Sequence, residues 1–304
     1  MALTAEPSNG RDNTARFLLI LTMAIWGSNA VAGRYAVGEI SPMALVMFRW
    51  IGVMLLVLFF ARGKLRADWP LLRRRLPFVM LLGGLGFAGF NAFFYAAATA
   101  TQAINIGILQ GSIPVIVLFG GYLMFKSNVS PTQIAGVAVT VVGVVVLASQ
   151  GSWNNLISFS FNEGDLLMLC ACVLYAGYTL ALVRRPAVSG LAMFAVMAAA
   201  ALLVSVPLAL AEFLLGAFQW PTLKGWAIVG FVAIFPSFLA QLFFLRSVDL
   251  IGAGRSGVFV NLVPVFAAAL GVLVLQESFE FFHGLSLALV LGGVLLAERS
   301  ARSQ

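Results

Sequence analysis

Long apolar runs divide this sequence from end to end, and they limit what it can fold into. About ten of them approach the twenty residues that a helix needs to cross the hydrocarbon layer of a bilayer. With 62% hydrophobic and 10% charged residues, the chain has more apolar surface than a soluble core buries, since ordinary domains are about 25% charged. A membrane β-barrel would instead show short segments of alternating polarity. The sequence therefore predicts an all-α membrane protein with ten transmembrane helices. The predicted spans are Phe17–Val37, Met43–Phe60, Leu76–Ala98, Ala103–Phe125, Pro131–Ala148, Asp165–Val183, Leu191–Phe213, Gly225–Leu245, Gly252–Leu275 and Phe281–Ala297.

The sequence also repeats itself at a constant offset of 150 residues. The offset holds without a gap from residue 27 to residue 293. The chain is therefore predicted to contain two five-helix repeats, residues 17–148 and 165–298, joined by an outer-face linker at 149–164. A construction from two repeats is typical of secondary transporters. Matched positions include an aromatic pair, a proline and a glycine: Phe93-Phe94 with Phe243-Phe244, Pro114 with Pro264, and Gly121 with Gly271.

Charged residues separate the predicted loops into two groups, and this predicts the topology. The positive-inside rule places the basic loops, and with them both termini, in the cytoplasm of a bacterial inner membrane. Because each repeat has an odd number of spans, the second repeat must be inverted relative to the first. The net charge of +7 comes from these loops, so no nucleic-acid partner is predicted. The basic group includes Arg62, Lys64, Arg66, Arg73, Arg74, Arg75, Arg184 and Arg185; the acidic group includes Glu39, Glu163, Glu212 and Glu277.

Several short motifs resemble a known family. They are Trp26-Gly27-Ser28-Asn29, Arg49, Pro114 and Pro264, Glu277, and Gln133 with Gly136 and Gly143. Together with the duplicated architecture they are similar to the drug/metabolite transporter superfamily, and more narrowly to its EamA-type ten-helix exporters. In overall character the chain resembles the bacterial aromatic amino-acid exporters of that branch. In two places the repeats differ: Lys126-Ser127 stands where the second repeat has Gln276-Glu277, and His283 stands where the first has Gln133.

Substrate sites of transporters lie near the bilayer midplane at the repeat interface. Polar and aromatic side chains inside the spans are therefore the candidates for binding substrate. For each polar residue an interhelical hydrogen bond is an equal alternative; for the pair Asn91 and Gln241, matched by the offset, we favour substrate contact. The predicted substrate-binding residues are Trp26, Asn29, Phe90, Asn91, Phe94, Gln110, Tyr175, Tyr178, Gln241, Phe244 and Asn261.

Two prolines and one arginine receive separate predictions. Pro114 and Pro264 each remove a helical hydrogen bond near mid-span, so they are predicted to be hinges. Arg49 is predicted to have a structural or gating role; the alternative is a bidentate contact with a substrate carboxylate. The cavity is expected between spans one, three, four, six, eight and nine, with spans five and ten as peripheral supports. Five tryptophans near span ends are expected to anchor the chain at the membrane interface: Trp50, Trp69, Trp153, Trp220 and Trp226.

Motifs for other activities are absent or misplaced. The sequence has no HExxH or GxSxG motif and a single histidine, so no enzyme activity, metal or cofactor is predicted. Residues 84–89 match GxGxxG, but they lie in an apolar helix, where small residues let helices approach closely. All eleven acids are placed in loops or at helix ends, so no buried carboxylate proton switch is expected.

These observations predict a transporter that exports small metabolites by alternating access without a coupling ion, with neutral or aromatic amino acids as the favoured class. The alternative is a proton-coupled drug or lipophilic-cation exporter of the same superfamily. The expected partners are a small-molecule substrate and the lipid bilayer, and the chain is expected to be monomeric.

Overall fold

The structure is a computed structural model that describes residues 8–126, 130–157 and 162–301. All regular structure in these ranges is helical, in agreement with the all-α prediction. Residues 158–161 of the predicted linker, together with Ser127 and Arg302, lie outside the described residues, and a five-residue helix, Trp153–Ile157, precedes them. The long segments are α1 (Ser8–Tyr35), α2 (Pro42–Phe60), α3 (Arg62–Ala100), α4 (Ala103–Met124), α5 (Pro131–Ala148), α6 (Glu163–Arg184), α7 (Gly190–Leu214), α8 (Leu223–Ile251), α9 (Arg255–Leu275) and α10 (Phe281–Ala301).

Segments α1 to α9 are the helices, within the described residues, that are long and apolar enough to cross a membrane. The tenth predicted span corresponds to a shorter apolar stretch of α10, Phe281–Ala297. Helix α3 is longer than predicted, because the basic stretch Arg62–Leu72, expected as a loop, is helical. Leu72 is fully buried and packs with Val79 and Met193, which attaches this stretch to the bundle.

Irregular helical turns interrupt four of the segments in corresponding places. Helix α3 contains a π-helical stretch at Gly84–Gly89, the GxGxxG match, and α8 contains one at Ala233–Leu239. Helix α4 breaks after Gln110 and restarts at Ile113, and α9 has a 3₁₀ stretch at Phe259–Leu262 before it restarts at Val263. A π turn leaves its carbonyl groups in irregular positions and is frequent at functional sites.

Gln133 and His283 begin α5 and α10 in the same way. The Gln133 Oε1 atom accepts a hydrogen bond from the Ser130 N–H at 2.8 Å, and the Ser130 hydroxyl accepts one from the Gln133 N–H at 3.2 Å. His283 Nδ1 accepts from the Glu280 N–H at 2.9 Å. Both side chains thus satisfy an N–H group at a helix start. The histidine therefore keeps the capping contact that the glutamine makes.

Helices α5 and α10 pack against each other through small residues. A Cβ atom at Gly293 would lie 2.3 Å from Thr140 Oγ1 and 2.5 Å from the Gly136 oxygen, and one at Gly136 would lie 2.5 Å from the Gly293 oxygen. Side chains there would force the two backbones apart. Close approach through small residues is how helices associate in lipid, where no hydrophobic force draws them together.

Contacts between helix ends define two ends of the bundle. At one, which we call the basic end, Asp68 accepts from the Ser189 N–H at 2.9 Å and Arg255 lies 3.8 Å from Asp12. The basic group of residues 62–75 and 184–185 lies there as well, since Arg75 donates to the Arg184 oxygen at 3.4 Å. At the other, the acidic end, Glu39, Glu212 and Glu277 each join two elements that are far apart in sequence.

Candidate functional site

A cavity with a free volume of about 120 Å³ lies among the middle parts of the helices. Eight helices line the cavity: α2 and α7 contribute in addition to the six that the sequence predicted, through Arg49, Trp50 and Phe194. The residues of α5 and α10 that the structure describes do not line it. The lining consists of Trp26, Asn29, Arg49, Trp50, Gly86, Phe87, Phe90, Asn91, Gln110, Ile113, Tyr175, Phe194, Pro236, Ser237, Gln241, Val260, Val263 and Pro264.

The irregular turns form much of the cavity wall, and the sequence explains the one in α8. Pro236 has no N–H, so the Val232 oxygen lacks its usual helical donor. The Ser237 hydroxyl donates to that oxygen instead, and the Trp26 Nε1–H donates to the Pro236 oxygen at 3.1 Å. Gly86 and Val260 occupy the irregular turns of α3 and α9. Pro236 and Ser237 were not predicted as site residues, although a proline in mid-span is the signal that would have found them.

Arg49 is buried at one side of the cavity and binds neutral groups. Its Nε donates to Ser237 Oγ at 2.6 Å, and its Nη1 donates to Asn91 Oδ1 at 2.7 Å and to the Tyr95 oxygen at 2.6 Å. A longer contact of 3.4 Å joins Nη1 to Asn29 Oδ1. The Tyr95 hydroxyl in turn donates to Asn29 at 2.9 Å. The arginine thereby connects α1, α2, α3 and α8.

Aromatic rings cover the rest of the wall. Trp50 and Phe87 stack with centroids 5.1 Å apart and an angle of 3° between their planes. Phe90 packs on Tyr175 with centroids 5.2 Å apart. Trp50 was predicted as an interfacial anchor, and this is wrong: only 2% of it is exposed and it faces the cavity. Because α2 begins at Pro42, residue 50 lies about two turns inside the helix.

Most predicted binding residues line this cavity. They are Trp26, Asn29, Phe90, Asn91, Gln110, Tyr175 and Gln241, and the hinge candidate Pro264 lines it too. Asn91 and Gln241, the pair matched by the offset, are both in the wall.

Four predicted binding residues lie behind the wall. Phe94 is 1% exposed because it packs on Phe90 nearer the acidic end. Tyr178 packs against Phe87 and beside Gly86, where a Cβ atom would lie 2.4 Å from its ring. The other two are Phe244, whose ring centroid is 5.4 Å from that of Trp26, and Asn261, which is buried in the 3₁₀ stretch of α9.

The two hinge candidates occupy equivalent positions along their helices but have different surroundings. Each lies in the first turn of a restarted helix, where a proline costs no hydrogen bond. Pro264 faces the cavity, whereas Pro114 lies in an apolar pocket with Gln133 and Val294, against α5 and α10.

The cavity is closed toward the acidic end. There Val263–Leu275 of α9 packs against α1 and against Ala103–Gln110 of α4. Glycines allow this approach, since a Cβ atom at Gly107 would lie 2.3 Å from the Ala267 Cβ. In the other half of α4, Ile113–Phe125 packs mainly against α6.

Glu277 fixes the closed half. Its carboxylate accepts from the N–H groups of Ala103 at 2.8 Å and Ile104 at 3.0 Å, and it lies 4.0 Å from Arg34 Nε. It thereby joins the end of α9 to the first turn of α4, where the helix dipole stabilises a negative charge.

Asp165 corrects the expectation that no carboxylate is buried. It lies in the first turn of α6, as predicted, but it is fully buried because the α3–α4 turn covers it. Its Oδ1 accepts from the Thr101 hydroxyl at 2.6 Å, and the Asn105 amide donates to it at 3.3 Å. The residues that the structure describes contain no cluster of three or more His, Cys, Asp or Glu side chains fit to hold a metal ion.

The bundle of apolar helices around a central cavity defines a membrane transporter, and comparison with known proteins agrees. The profile of the EamA-like transporter family, within the drug/metabolite transporter superfamily, matches residues 13–149 and again residues 162–298. The chain belongs to this family, as the motifs suggested.

The chain is similar to an uncharacterized transporter and to two proteins whose names refer to different kinds of molecule. The uncharacterized transporter YyaM of Bacillus subtilis (strain 168) is 28% identical over 92% of both chains. Purine permease 3 of Arabidopsis thaliana is 26% identical over 73% of this chain and 68% of its own, and a probable amino-acid metabolite efflux pump of Salmonella typhimurium is 26% identical over 53% and 50%. A solved crystal structure with 20% identity superposes with a TM-score of 0.63 over 96% of this chain and 98% of its own, a likeness of fold.

Proposed function

We propose that this protein is a carrier that exports small metabolites by alternating access, with neutral or aromatic amino acids as the favoured class and no coupling ion. The observation that carries the proposal is the cavity in mid-bundle. It is lined by amide and aromatic side chains, and it is closed at one end by packed helix halves. The name of the Salmonella relative supports amino acids as the class.

The carrier is proposed to consist of two inverted five-helix repeats. The irregular turns of α3 and α8, the breaks of α4 and α9, and the caps of α5 and α10 recur about 150 residues apart. The family profile also matches the chain twice. With the basic end in the cytoplasm of a bacterial inner membrane, both termini are cytoplasmic and the closed end faces outward. Access to the cavity is then proposed from the cytoplasm, the side from which an exporter loads.

The alternative, an exporter of lipophilic cations, would require an anionic group in the cavity. The charged residue in the described wall is Arg49, which repels cations. We therefore favour the amino-acid carrier.

Counterflow tests the proposal. Liposomes that contain the purified protein are loaded with unlabelled phenylalanine, threonine or a lipophilic cation. Uptake of labelled phenylalanine is then followed without a pH gradient. Trapped amino acids should accelerate uptake. Acceleration by the cation alone, or only with an imposed proton gradient, would contradict the proposal.

The hinge proposal has its own test. Pro114→Ala with Pro264→Ala adds an N–H group at each helix restart, so that α4 and α9 can continue through their breaks. This should stiffen both helices and slow exchange about 10-fold, while the protein stays folded. Leu123→Ala with Leu273→Ala is a control pair at exposed positions of the same helices that leaves both prolines in place. An unchanged exchange rate in the proline variant would remove the hinge role.

A further inference from the structure

Arg49 is a buried cation that has no counter-ion in the part of the chain that the structure describes. Only 6% of it is exposed, and among the described residues no carboxylate lies within ion-pair distance of its guanidinium. A guanidinium stays protonated in a protein. A charged side chain within a membrane span is costly, and such residues usually face the protein interior or a cavity and mark substrate pathways.

The hydrogen bonds of Arg49 leave one part of the guanidinium free. Nε and Nη1 make all the contacts described above, with Ser237, Asn91, Tyr95 and Asn29. Nη2 has no acceptor in the described part of the chain, and the side chain lines the cavity. The four neutral partners hold the guanidinium in place without neutralising it.

We propose that Arg49 is the anion-binding group of the cavity and that the transported molecule is a small carboxylate with a flat apolar side chain. This inference rests on the proposed carrier function and narrows its substrate class. The carboxylate receives a hydrogen bond from Nη2, and its charge offsets the buried positive charge.

The rings beside the arginine specify the rest of the ligand. The Arg49 Cζ atom is 5.6 Å from the Trp50 ring centroid, and Trp50 stacks on Phe87. A carboxylate at Arg49 therefore has planar apolar surfaces within a few ångströms, which suits an aromatic side chain.

The lining also limits the role of the ligand's amino group. The described wall holds amide and hydroxyl groups, such as Gln110 and Gln241, but no acidic side chain that would pair with an ammonium group. The carboxylate therefore contributes more to binding than the ammonium group does. Aromatic acids that lack the amino group belong to the same substrate class.

Four competitors with one ring system test this in counterflow: phenylalanine, 3-phenylpropionate, phenylalaninamide and phenethylamine. The two carboxylates should compete for labelled phenylalanine, and the amide and the amine should be weaker by about 10- to 100-fold, the value of a hydrogen bond to a charged group. Equal competition by phenethylamine would overturn the proposal.

Variants of Arg49 test the residue itself. Arg49→Gln should abolish the preference for carboxylates, and Arg49→Lys, which keeps the charge but loses the planar fork, should restore part of it. Arg255→Gln is the matched control, because it removes an exposed arginine at the basic end. A merely structural role would lower transport of all four compounds alike, and that result would overturn the proposal.

Binding to the purified protein separates the failure of this inference from the failure of the carrier function. If the protein binds the carboxylates but does not move them, Arg49 keeps its role and the carrier function fails. If it transports but does not distinguish acid from amine, the inference alone fails. If it neither binds nor moves a carboxylate, both fail. Should the Arg49 variants not fold, the four compounds on the unaltered protein decide.

Discussion

The two ends of the bundle are held together by different contacts. At the acidic end, carboxylates accept hydrogen bonds from helix starts: Glu212 from Met43 and Ala44 at 3.2 Å each, and Glu277 from Ala103 and Ile104. At the basic end, Asp68 accepts one such bond, from the Ser189 N–H at 2.9 Å, and Arg255 and Asp12 form an exposed pair 3.8 Å apart. Hydrogen bonds to a helix N-terminus are directional, whereas an exposed ion pair contributes little. We infer that opening the acidic end breaks more directional hydrogen bonds than a rearrangement of the basic end does.

Among substitutions at the two ends, removal of the Glu277 carboxylate should have the largest effect, because it weakens the closed half. Glu277→Ala takes away the acceptor for two N–H groups of α4, a loss of about 1–2 kcal/mol in the stability of the closed half. A cysteine introduced at Ile108, which is fully buried in that half, should then react about 10-fold faster with a thiol reagent, in a background without Cys170 and Cys172. Glu280→Gln, an exposed acid in the same loop, should leave the rate unchanged. Equal reaction rates in the two variants would contradict the role of Glu277 in stabilising the closed half.

Removal of Glu212 tests whether the other carboxylate cap acts in the same way. Glu212→Ala should lower the free energy of unfolding by about 1 kcal/mol, because the start of α2 loses its acceptor. Ser41, which also donates to Glu212 at 2.5 Å, offers a smaller step through Ser41→Ala. Denaturant unfolding in detergent measures both. A larger loss from Ser41→Ala than from Glu212→Ala would contradict this assignment.

The pKa of Glu39 tests the contacts at the acidic end. The hydrogen bond from Thr222, helped by Lys224 at 3.3 Å, lowers the pKa of Glu39 below its ordinary value of 4.5. A lowered pKa means that the contribution of this group to stability is complete above the ordinary value and is lost as the pH falls through the folded value. Thr222→Val should bring the pKa back toward 4.5, which carbon NMR of labelled glutamate would follow. A pKa that stays low in this variant would assign the shift to Lys224.

The smallest effect is expected at the basic end. Arg255→Gln breaks the exposed pair with Asp12 and should change the free energy of unfolding by less than about 0.5 kcal/mol. The measurement is the same denaturant titration. A loss as large as that of Glu212→Ala would mean that the two ends are held alike, and the contrast would fail.

The sequence predicts those site residues whose polar side chains are energetically costly inside an apolar helix. Asn91, Gln110 and Gln241 are polar in apolar helices, and that cost alone points to a cavity or a partner. Membrane spans follow from length and hydropathy in the same way. The parts that were missed depend on packing between helices and on how helices turn. Trp50 lies well inside the predicted span Met43–Phe60, and only its stacking on Phe87 shows that it faces the cavity. Ser237 acquires its role from the neighbouring proline. Asp165 shows the same limit, because burial at a helix end is decided by the turn that covers it.

The capping contacts of Gln133 and His283 bear on how such chains are compared. What the fold requires at these positions is an acceptor atom at the right reach, 2.8 Å from an N–H in one case and 2.9 Å in the other. An amide oxygen and an imidazole nitrogen meet that requirement equally, although a letter-by-letter comparison scores the pair as a mismatch. At this pair of positions the two halves of the protein therefore match in hydrogen-bond chemistry although their residues differ, and a search for internal symmetry gains by scoring donors and acceptors.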